Sequence, residues 1–256
     1  MRRRLCIPAM LMALACAPSG DIAPKPDTAT VDNATPDTAT PDTLAPESAA
    51  PSSGYRAGGN EPFWTLTFTP SEMRFADMGM ADSAAVARPA ALATQGGWRF
   101  EATANGSPFI AVIERRNCND SMSGRPFPHT VTVTVNGRTY TGCGGDTSAM
   151  ISGEAWTVVE LEGTATAQRR PTITFGSDST VTGNGGCNSF RGPYRITGEG
   201  TDIGPVAATK MACAEPVLNQ QESKFFGLLD QVTRFDVVDG RLELYAGDRR
   251  VVTAER

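Results

Sequence analysis

The sequence predicts a mainly β protein with one helix in its C-terminal part (α+β), built as two small antiparallel β-sheet or cracked-barrel domains after a disordered linker. Short segments such as residues 65–69 and 130–135 alternate apolar side chains with threonine, which is the period of a half-buried strand. Asn136-Gly137 separates two such segments, and Asn-Gly is typical of a two-residue hairpin turn. Only the segment after Pro216 spaces its apolar residues convincingly as a helix does.

Residues 1–15 predict a secretory signal peptide. Arg2-Arg3-Arg4 forms a positive start, and the apolar stretch of about 11 residues that follows is too short to span a bilayer. It ends in Ala13-Leu14-Ala15-Cys16, which resembles a bacterial lipobox. The resemblance implies that Cys16 becomes an N-terminus carrying acyl chains such as palmitate, and that the protein lies in the outer membrane and faces the periplasm. An ordinary cleaved signal with a chance cysteine is the alternative.

Residues 16–53 predict a disordered linker. They consist largely of Pro, Ala, Thr and Asp, and Ala34-Thr35-Pro36-Asp37-Thr38 is repeated directly as residues 39–43. Large apolar residues are nearly absent, so the segment cannot bury enough surface to offset its ordering entropy. We expect a flexible spacer of roughly 35 Å that holds the folded part away from the membrane.

Charge and composition disfavour several classes of function. The formal net charge is −5 at pH 7, which argues against a nucleic-acid partner attracted through its phosphates. His129 is the only histidine, so histidine-rich metal sites are excluded, and we predict neither a metal nor a cofactor.

The cysteines predict two disulfides, because export places the chain in an oxidising compartment. Four cysteines remain after Cys6 and Cys16 are set aside, and they allow three pairings. We predict Cys118–Cys143 and Cys187–Cys213, since each pair lies within one predicted domain. Each bond would close a loop of about 25 residues and contribute about 3 to 4 kcal/mol in the chain-entropy model. A zinc site is the alternative, but no Cys-x-x-Cys spacing is present.

Four spaced motifs mark residues 153–256: Gly186-Cys187-Asn188, Gly192-Pro193-Tyr194, Ile203-Gly204-Pro205 and Ala208-Thr209-Lys210-Met211-Ala212-Cys213. They resemble the META domain, a family that includes the HslJ-like heat-shock lipoproteins. The family usually has arginine where Lys210 stands. The resemblance implies a domain without established catalytic chemistry and a role in the envelope stress response.

Three other segments mark residues 54–146: Gly59-Asn60-Glu61-Pro62-Phe63-Trp64, the Cys118-to-Met122 loop and Thr141-Gly142-Cys143-Gly144-Gly145. They resemble a family of uncharacterised bacterial envelope lipoproteins that is often joined to a META domain. The resemblance implies a β-rich envelope domain and brings almost no function with it.

The predicted helix follows Pro216 and has Asn219 and Glu222 as a capping pair. Its apolar face is expected to cover the open end or side of a small sheet. That face consists of Leu218, Phe225, Leu228, Leu229 and Val232.

No residue pattern predicts a catalytic site. Glu61 beside an aromatic wall could act as an acid, and Asp120, Ser121 and His129 could form a triad, but no nucleophile-elbow glycines surround Ser121. We therefore predict a protein that is not an enzyme. The residues predicted to contact a ligand or partner are Asn188, Phe190, Arg191, Lys210, Met211 and Trp64.

Three functional hypotheses follow. The first is an envelope stress or assembly accessory that binds a protein or another envelope component. The second is a carrier of a lipid or small hydrophobic ligand in a cracked barrel, with a cavity lined by Phe175, Phe225 and Leu229. The third is an enzyme acting on cell-wall material, which needs paired acids or a metal site that we do not find.

Overall fold

The computed structural model describes residues 49–79 and 82–256. The predicted signal peptide, the predicted lipidation site Cys16 and residues 16–48 of the predicted linker lie outside the described residues. No helix within the described ranges is long and apolar enough to cross a membrane. The predicted fold class is confirmed, because these residues build two curled, half-barrel-like antiparallel sheets and one α-helix.

The first half of the fold, residues 49–146, contains an antiparallel sheet that curls on itself. Its strands are β1 (Arg56–Asn60), β2 (Phe63–Phe68), β3 (Glu72–Asp77), β4 (Ser83–Ala87), β5 (Leu92–Thr94), β6 (Gly97–Ala104), β7 (Ser107–Glu114), β8 (Cys118–Asn119), β9 (Pro126–Phe127), β10 (His129–Val135) and β11 (Arg138–Gly144). Nine of them form one sheet in the order β4-β3-β2-β1-β11-β10-β7-β6-β5, and β8 pairs with β9. The sheet curls enough for β4 to approach β6.

The inner face of this sheet forms the first core. Along β2, Trp64, Leu66 and Phe68 are buried and alternate with more exposed residues, as a strand with one face on a core requires. Phe68 meets Phe100 with ring centroids 4.7 Å apart. Burying each such aromatic side chain contributes about 2 to 3 kcal/mol, so this cluster fixes which face of the sheet is inside.

The second half, residues 147–256, begins with a 3-10 helix at Thr147–Met150 and continues into a second curled sheet. Its elements are β12 (Trp156–Leu161), β13 (Thr164–Ala165), β14 (Thr172–Phe175), β15 (Thr180–Asn184), β16 (Ser189–Ile196), β17 (Thr201–Ile203), β18 (Ala207–Ala208), α1 (Pro216–Leu229), β19 (Arg234–Val238), β20 (Arg241–Ala246) and β21 (Arg249–Glu255). The strand order is β17-β16-β15-β14-β12-β21-β20-β19, with β13 on β12 and β18 on β16. The outer strands approach each other where the Thr201 N–H donates to the Thr233 carbonyl at 2.7 Å.

The helix packs on the core of the second half through its predicted face. The four predicted residues within α1 are all at most 4% exposed: Leu218, Phe225, Leu228 and Leu229. Val232 is also buried, but it follows the helix, which ends at Leu229.

The predicted helix cap is wrong. The helix begins at Pro216, whose fixed φ and missing N–H suit a first turn, and Glu215 stands at the N-cap without a side-chain hydrogen bond. Asn219 therefore already lies inside the helix, where its Oδ1 accepts the Cys213 N–H at 3.0 Å. Glu222 is buried, and its carboxylate accepts hydrogen bonds from Cys187 and Asn188.

The predicted hairpin at Asn136-Gly137 is confirmed. The turn joins β10 to β11, and its two residues have φ values of 49° and 77°. Positive φ at both central positions defines a turn whose twist matches that of the strands. Asp239-Gly240, between β19 and β20, has the same conformation, with φ values of 50° and 76°.

The two halves touch through the segment that carries Cys118. Asn117 Nδ2 donates to the Val237 carbonyl at 2.8 Å, and Asn119 Nδ2 donates to Asp236 Oδ2 at 3.1 Å. Since Val237 and Asp236 lie on β19, this segment of the first half packs along an outer strand of the second.

Candidate functional site

Both predicted disulfides are confirmed. Cys118 is bonded to Cys143 and Cys187 to Cys213, with Cα atoms 5.4 and 5.8 Å apart. The second bond ties the turn after β15 to residues 209–213, which lie between β18 and α1. We call residues 209–213 the Lys210 loop.

A buried carboxylate on α1 holds the turn after β15 from the other side. Glu222 is 7% exposed. Its Oε1 accepts the backbone N–H groups of Cys187 and Asn188 at 3.2 and 2.7 Å, and its Oε2 accepts Asn188 Nδ2 at 2.6 Å. These three bonds offset part of the desolvation cost of burying a carboxylate. Gly185 leaves room for Glu222, because a Cβ there would lie 2.6 Å from Oε1.

Asn188 connects this carboxylate to the Lys210 loop. Its Oδ1 accepts the Met211 N–H at 2.7 Å and Thr209 Oγ1 at 2.8 Å, while its Nδ2 also donates to the Met211 carbonyl at 2.9 Å. Asn188 itself is 4% exposed. Although it was a candidate for contact with a ligand or partner, its side chain is used inside the fold, where it fixes the loop.

The Lys210 loop presents two exposed side chains on a fixed backbone. Lys210 is exposed, and Met211 is 63% exposed although both of its backbone polar groups are bonded to Asn188. A flexible thioether on a preordered loop can meet an apolar surface at a low ordering cost. Lys210 and Met211 are thus two predicted contact residues that are both exposed on this loop.

The other predicted contact residues lie elsewhere. Phe190 is 4% exposed and packs edge-on against Phe225 with ring centroids 5.8 Å apart. Arg191 is exposed on β16, and its guanidinium lies 3.5 Å from the Asp178 carboxylate. Trp64 is 2% exposed in the core of the first half. Burial leaves the rings of Phe190 and Trp64 little surface for a partner.

Residues 59–64, which carry the family resemblance of the first half, pack around the Trp64 side chain. Its indole stacks on Phe75 with ring centroids 5.8 Å apart. Gly59 must be small here, because a Cβ would lie 2.4 Å from Trp64 Nε1 and 2.7 Å from the Thr141 carbonyl oxygen. Glu61, which was considered as an acid, is exposed between β1 and β2.

We expect Gly59→Ala to destabilise the first half by about 1 to 3 kcal/mol, because the added methyl group forces the indole or the backbone of β11 to move. Urea unfolding measures the change. Gly96→Ala is the matched control, since no atom lies within 4 Å of a Cβ at that position. Equal unfolding midpoints for the two variants would contradict the steric explanation of Gly59.

Asn60 connects residues 59–64 to the loop that follows Cys118. Its Nδ2 donates to Asp120 Oδ2 at 2.7 Å and to Ser121 Oγ at 3.0 Å. Burial acts to raise the pKa of Asp120, but hydrogen bonds from Ser123, Asn60 and Met122 outweigh it and lower the pKa of that carboxyl below its ordinary value. Asp120 is therefore an ionised carboxylate that organises its loop.

The residues of the triad hypothesis lie in different surroundings. His129 Nδ1 lies 3.3 Å from the Tyr55 hydroxyl oxygen, and its ring meets Trp98 edge-on. Asp120 is instead held by Asn60 and by its own loop. In the part of the chain that the structure describes, no group of three or more His, Cys, Asp or Glu residues is arranged to hold a metal ion.

An exposed apolar patch in the first half escaped prediction. Phe63 and Met78 are 48% and 74% exposed, and the Met78 N–H donates to the Phe63 carbonyl at 2.7 Å. Phe63 also pairs across the sheet with Asn60, whose side chain reaches the loop that carries Met122, which is 70% exposed. The alternation along β2 is the signal that could have revealed this patch, because Phe63 is out of phase with the buried positions.

The residues expected to line a ligand cavity are packed in the second core. Phe175 and Phe225 are 0% exposed and Leu229 is 1% exposed, and all three belong to the same cluster of buried side chains. Phe175 also meets Tyr194 edge-on with ring centroids 5.1 Å apart. These side chains contribute to a packed interior.

Comparison with known proteins finds a family match in the second half. Residues 149–256 match the family model described as the META domain, which agrees with the resemblance seen in the sequence of this part of the chain. One similar solved structure is described as an NMR structure of a protein, with 21% identity and a TM-score of 0.37, and the match covers 43% of this chain and 95% of that chain. Another is an NMR structure of a protein from Burkholderia xenovorans, with 22% identity and a TM-score of 0.36, where the match covers 43% of this chain and 85% of that chain. A search of the curated proteins finds no match.

Proposed function

We propose that this chain is a non-enzymatic lipoprotein of the outer membrane that faces the periplasm and binds a protein partner as an envelope stress or assembly accessory. The lipobox-like residues 13–16 support an anchor at Cys16. The resemblance of the second half to HslJ-like lipoproteins supports the stress context.

The observation that carries this proposal is the exposure of Met211 on a backbone that the fold has already fixed. Asn188 bonds both polar groups of the Met211 backbone, and Cys213 in the same loop is disulfide-bonded to Cys187. An exposed methionine side chain contributes little to the stability of the fold. On a preordered loop, however, it can enter an apolar pocket of a partner without a large loss of conformational entropy.

Lys210 gives this surface a charge. Lys210 precedes Met211 in the loop and is exposed. A charge at the rim of an apolar contact steers association and selects a partner of opposite charge. The proposed partner therefore offers an apolar pocket with acidic residues next to it.

A photoreactive amino acid at Met211, introduced in the full chain in a bacterial envelope, is expected to give one dominant crosslinked protein. Lys210→Glu in the same chain should lower the yield of that adduct several-fold, because it reverses the charge beside the pocket. The expected change in unfolding free energy from Lys210→Glu is within about 0.5 kcal/mol, since the side chain is exposed.

The matched control places the same photoreactive group at Leu92, which is 52% exposed on β5. An adduct of the same mass and yield from both positions would indicate non-specific capture. Such a result, or an adduct at Met211 that ignores Lys210→Glu, would contradict the proposal.

A further inference from the structure

A groove of about 210 Å³ lies between the two halves. The first half contributes residues 123–126, which precede and begin β9. The second half contributes residues 199–201, 233–235 and 247–248. Both halves are needed to form it, and none of the residues discussed above as partner contacts lies in it.

Two arginines, one from each half, line this groove. Arg125 and Arg234 are both half-buried. Arg125 Nε donates to Thr147 Oγ1 at 3.1 Å, and its guanidinium lies 5.1 Å from the centre of the Phe127 ring. The guanidinium of Arg234 lies 3.6 Å from the centre of the Tyr245 ring. Each guanidinium is thus held in place by an aromatic ring.

Neither guanidinium has a carboxylate partner among residues 49–79 and 82–256. Arg138 and Arg250, by contrast, form ion pairs with Asp82 and Glu243. A positioned guanidinium offers a planar fork of donors that fits a carboxylate or a phosphate. The groove therefore contains two such donor groups that form no ion pair within residues 49–79 and 82–256.

The acids of the groove are placed differently from the arginines. Glu199 and Asp248 line it too, but both are exposed. Two exposed carboxylates repel a ligand with several negative charges and attract a cationic group. The positive groups of the groove are hence half-buried, and its negative groups are exposed.

We propose that this groove binds a small zwitterion, whose single anionic group meets Arg125 and Arg234 and whose ammonium faces Glu199 and Asp248. The anionic group is a carboxylate or a phosphate. Two sources share this chemistry: the phosphoethanolamine headgroup of a lipid, and a free amino acid.

Isothermal titration of the full chain separates these sources. The probes are O-phosphoethanolamine, L-alanine, inorganic phosphate and ethanolamine. One of the two zwitterions is expected to bind with 1:1 stoichiometry and at least about tenfold more tightly than either inorganic phosphate or ethanolamine, since it satisfies both parts of the groove. Saturation by O-phosphoethanolamine alone identifies a headgroup site, and saturation by L-alanine alone identifies an amino-acid site.

Arg234→Gln is expected to weaken binding of that zwitterion at least about tenfold, because it removes a charged donor fork. Arg234→Lys keeps the charge but loses the planar fork of donors. Its affinity for the zwitterion should therefore lie between that of the parent chain and that of Arg234→Gln. Arg170→Gln is the control: this arginine is exposed and does not line the groove. If Arg234→Gln does not melt like the parent chain, Arg234→Lys carries the test.

Three results would overturn the proposal. The first is no saturable binding of either zwitterion at about 10 mM, a concentration that detects millimolar affinities. The second is binding of inorganic phosphate as tight as that of the zwitterion. The third is equal affinity in the parent, Arg234→Gln and Arg234→Lys.

Discussion

The Glu222→Ala variant is expected to lose about 3 kcal/mol or more of unfolding free energy in the second half. It leaves the Cys187 and Asn188 N–H groups without their acceptor and removes one partner of Asn188 Nδ2. Each buried donor left unsatisfied costs about 1 to 3 kcal/mol. Urea unfolding gives the total, and hydrogen exchange of the α1 amides assigns the loss to the second half.

Two further variants test the cause of that loss. Glu154→Ala removes an exposed carboxylate and should change stability by no more than about 0.5 kcal/mol. Glu222→Gln keeps an oxygen for the two backbone N–H groups but turns an NH₂ group toward Asn188 Nδ2, so an intermediate loss is expected. If Glu222→Ala and Glu154→Ala unfolded alike, the buried carboxylate would not be what holds the turn.

Removing the second disulfide by Cys187→Ser and Cys213→Ser together is expected to cost about 3 to 4 kcal/mol, because it frees a loop in the unfolded chain. The bonded residues are 26 apart in sequence. The measurement is urea unfolding under oxidising conditions. Hydrogen exchange at Met211 should also accelerate, since the loop keeps its contacts to Asn188 but loses its covalent tie to the turn after β15.

The control for this double variant is the corresponding pair Cys118→Ser and Cys143→Ser, which should destabilise the first half and leave exchange at Met211 unchanged. A reductant should lower the stability of the second half in the parent chain and in this control, but not in the Cys187→Ser, Cys213→Ser variant. An unchanged unfolding curve for that variant under oxidising conditions would contradict a stabilising role of the bond.

Local chemistry explains the parts of the fold that could be predicted. Asn136-Gly137 forms its turn because both residues tolerate positive φ, a property that depends little on the rest of the chain. The disulfides followed from the choice to pair cysteines within each predicted domain.

Other parts depend on contacts between distant residues. Asn219 and Glu222 have the spacing of a capping pair, but the helix begins earlier, at Pro216, and Glu222 meets the turn at Cys187 instead. The contact of Glu222 with this turn thus takes the place of the helix-capping role that the Asn219 and Glu222 spacing suggested. The signal for β4 is weak for another reason: Ser83–Ala87 consists mostly of small residues, and its pairing with β3 decides its conformation.

The same difference between local motifs and distant contacts decides which parts of the candidate site could be predicted. Lys210 and Met211 could be selected because they lie in a motif, and motifs are continuous in sequence. The groove at Arg125 and Arg234 could not, since its walls are brought together only when the two halves touch. Asn188 was selected for the correct neighbourhood, but only its hydrogen bonds show that it supports the surface rather than forming it.

The contacts of Asn117 and Asn119 with β19 affect how the protein can be divided. These residues flank Cys118, which is covalently attached to β11, so the donors that reach the second half are anchored in the first. Hydrogen bonds at such exposed positions contribute about 1 kcal/mol or less each. A fragment that begins after residue 146 would retain the core of the second half but lose these donors and one wall of the groove. The two sheets are separate in sequence, but cutting the chain between them would divide a surface that both of them form.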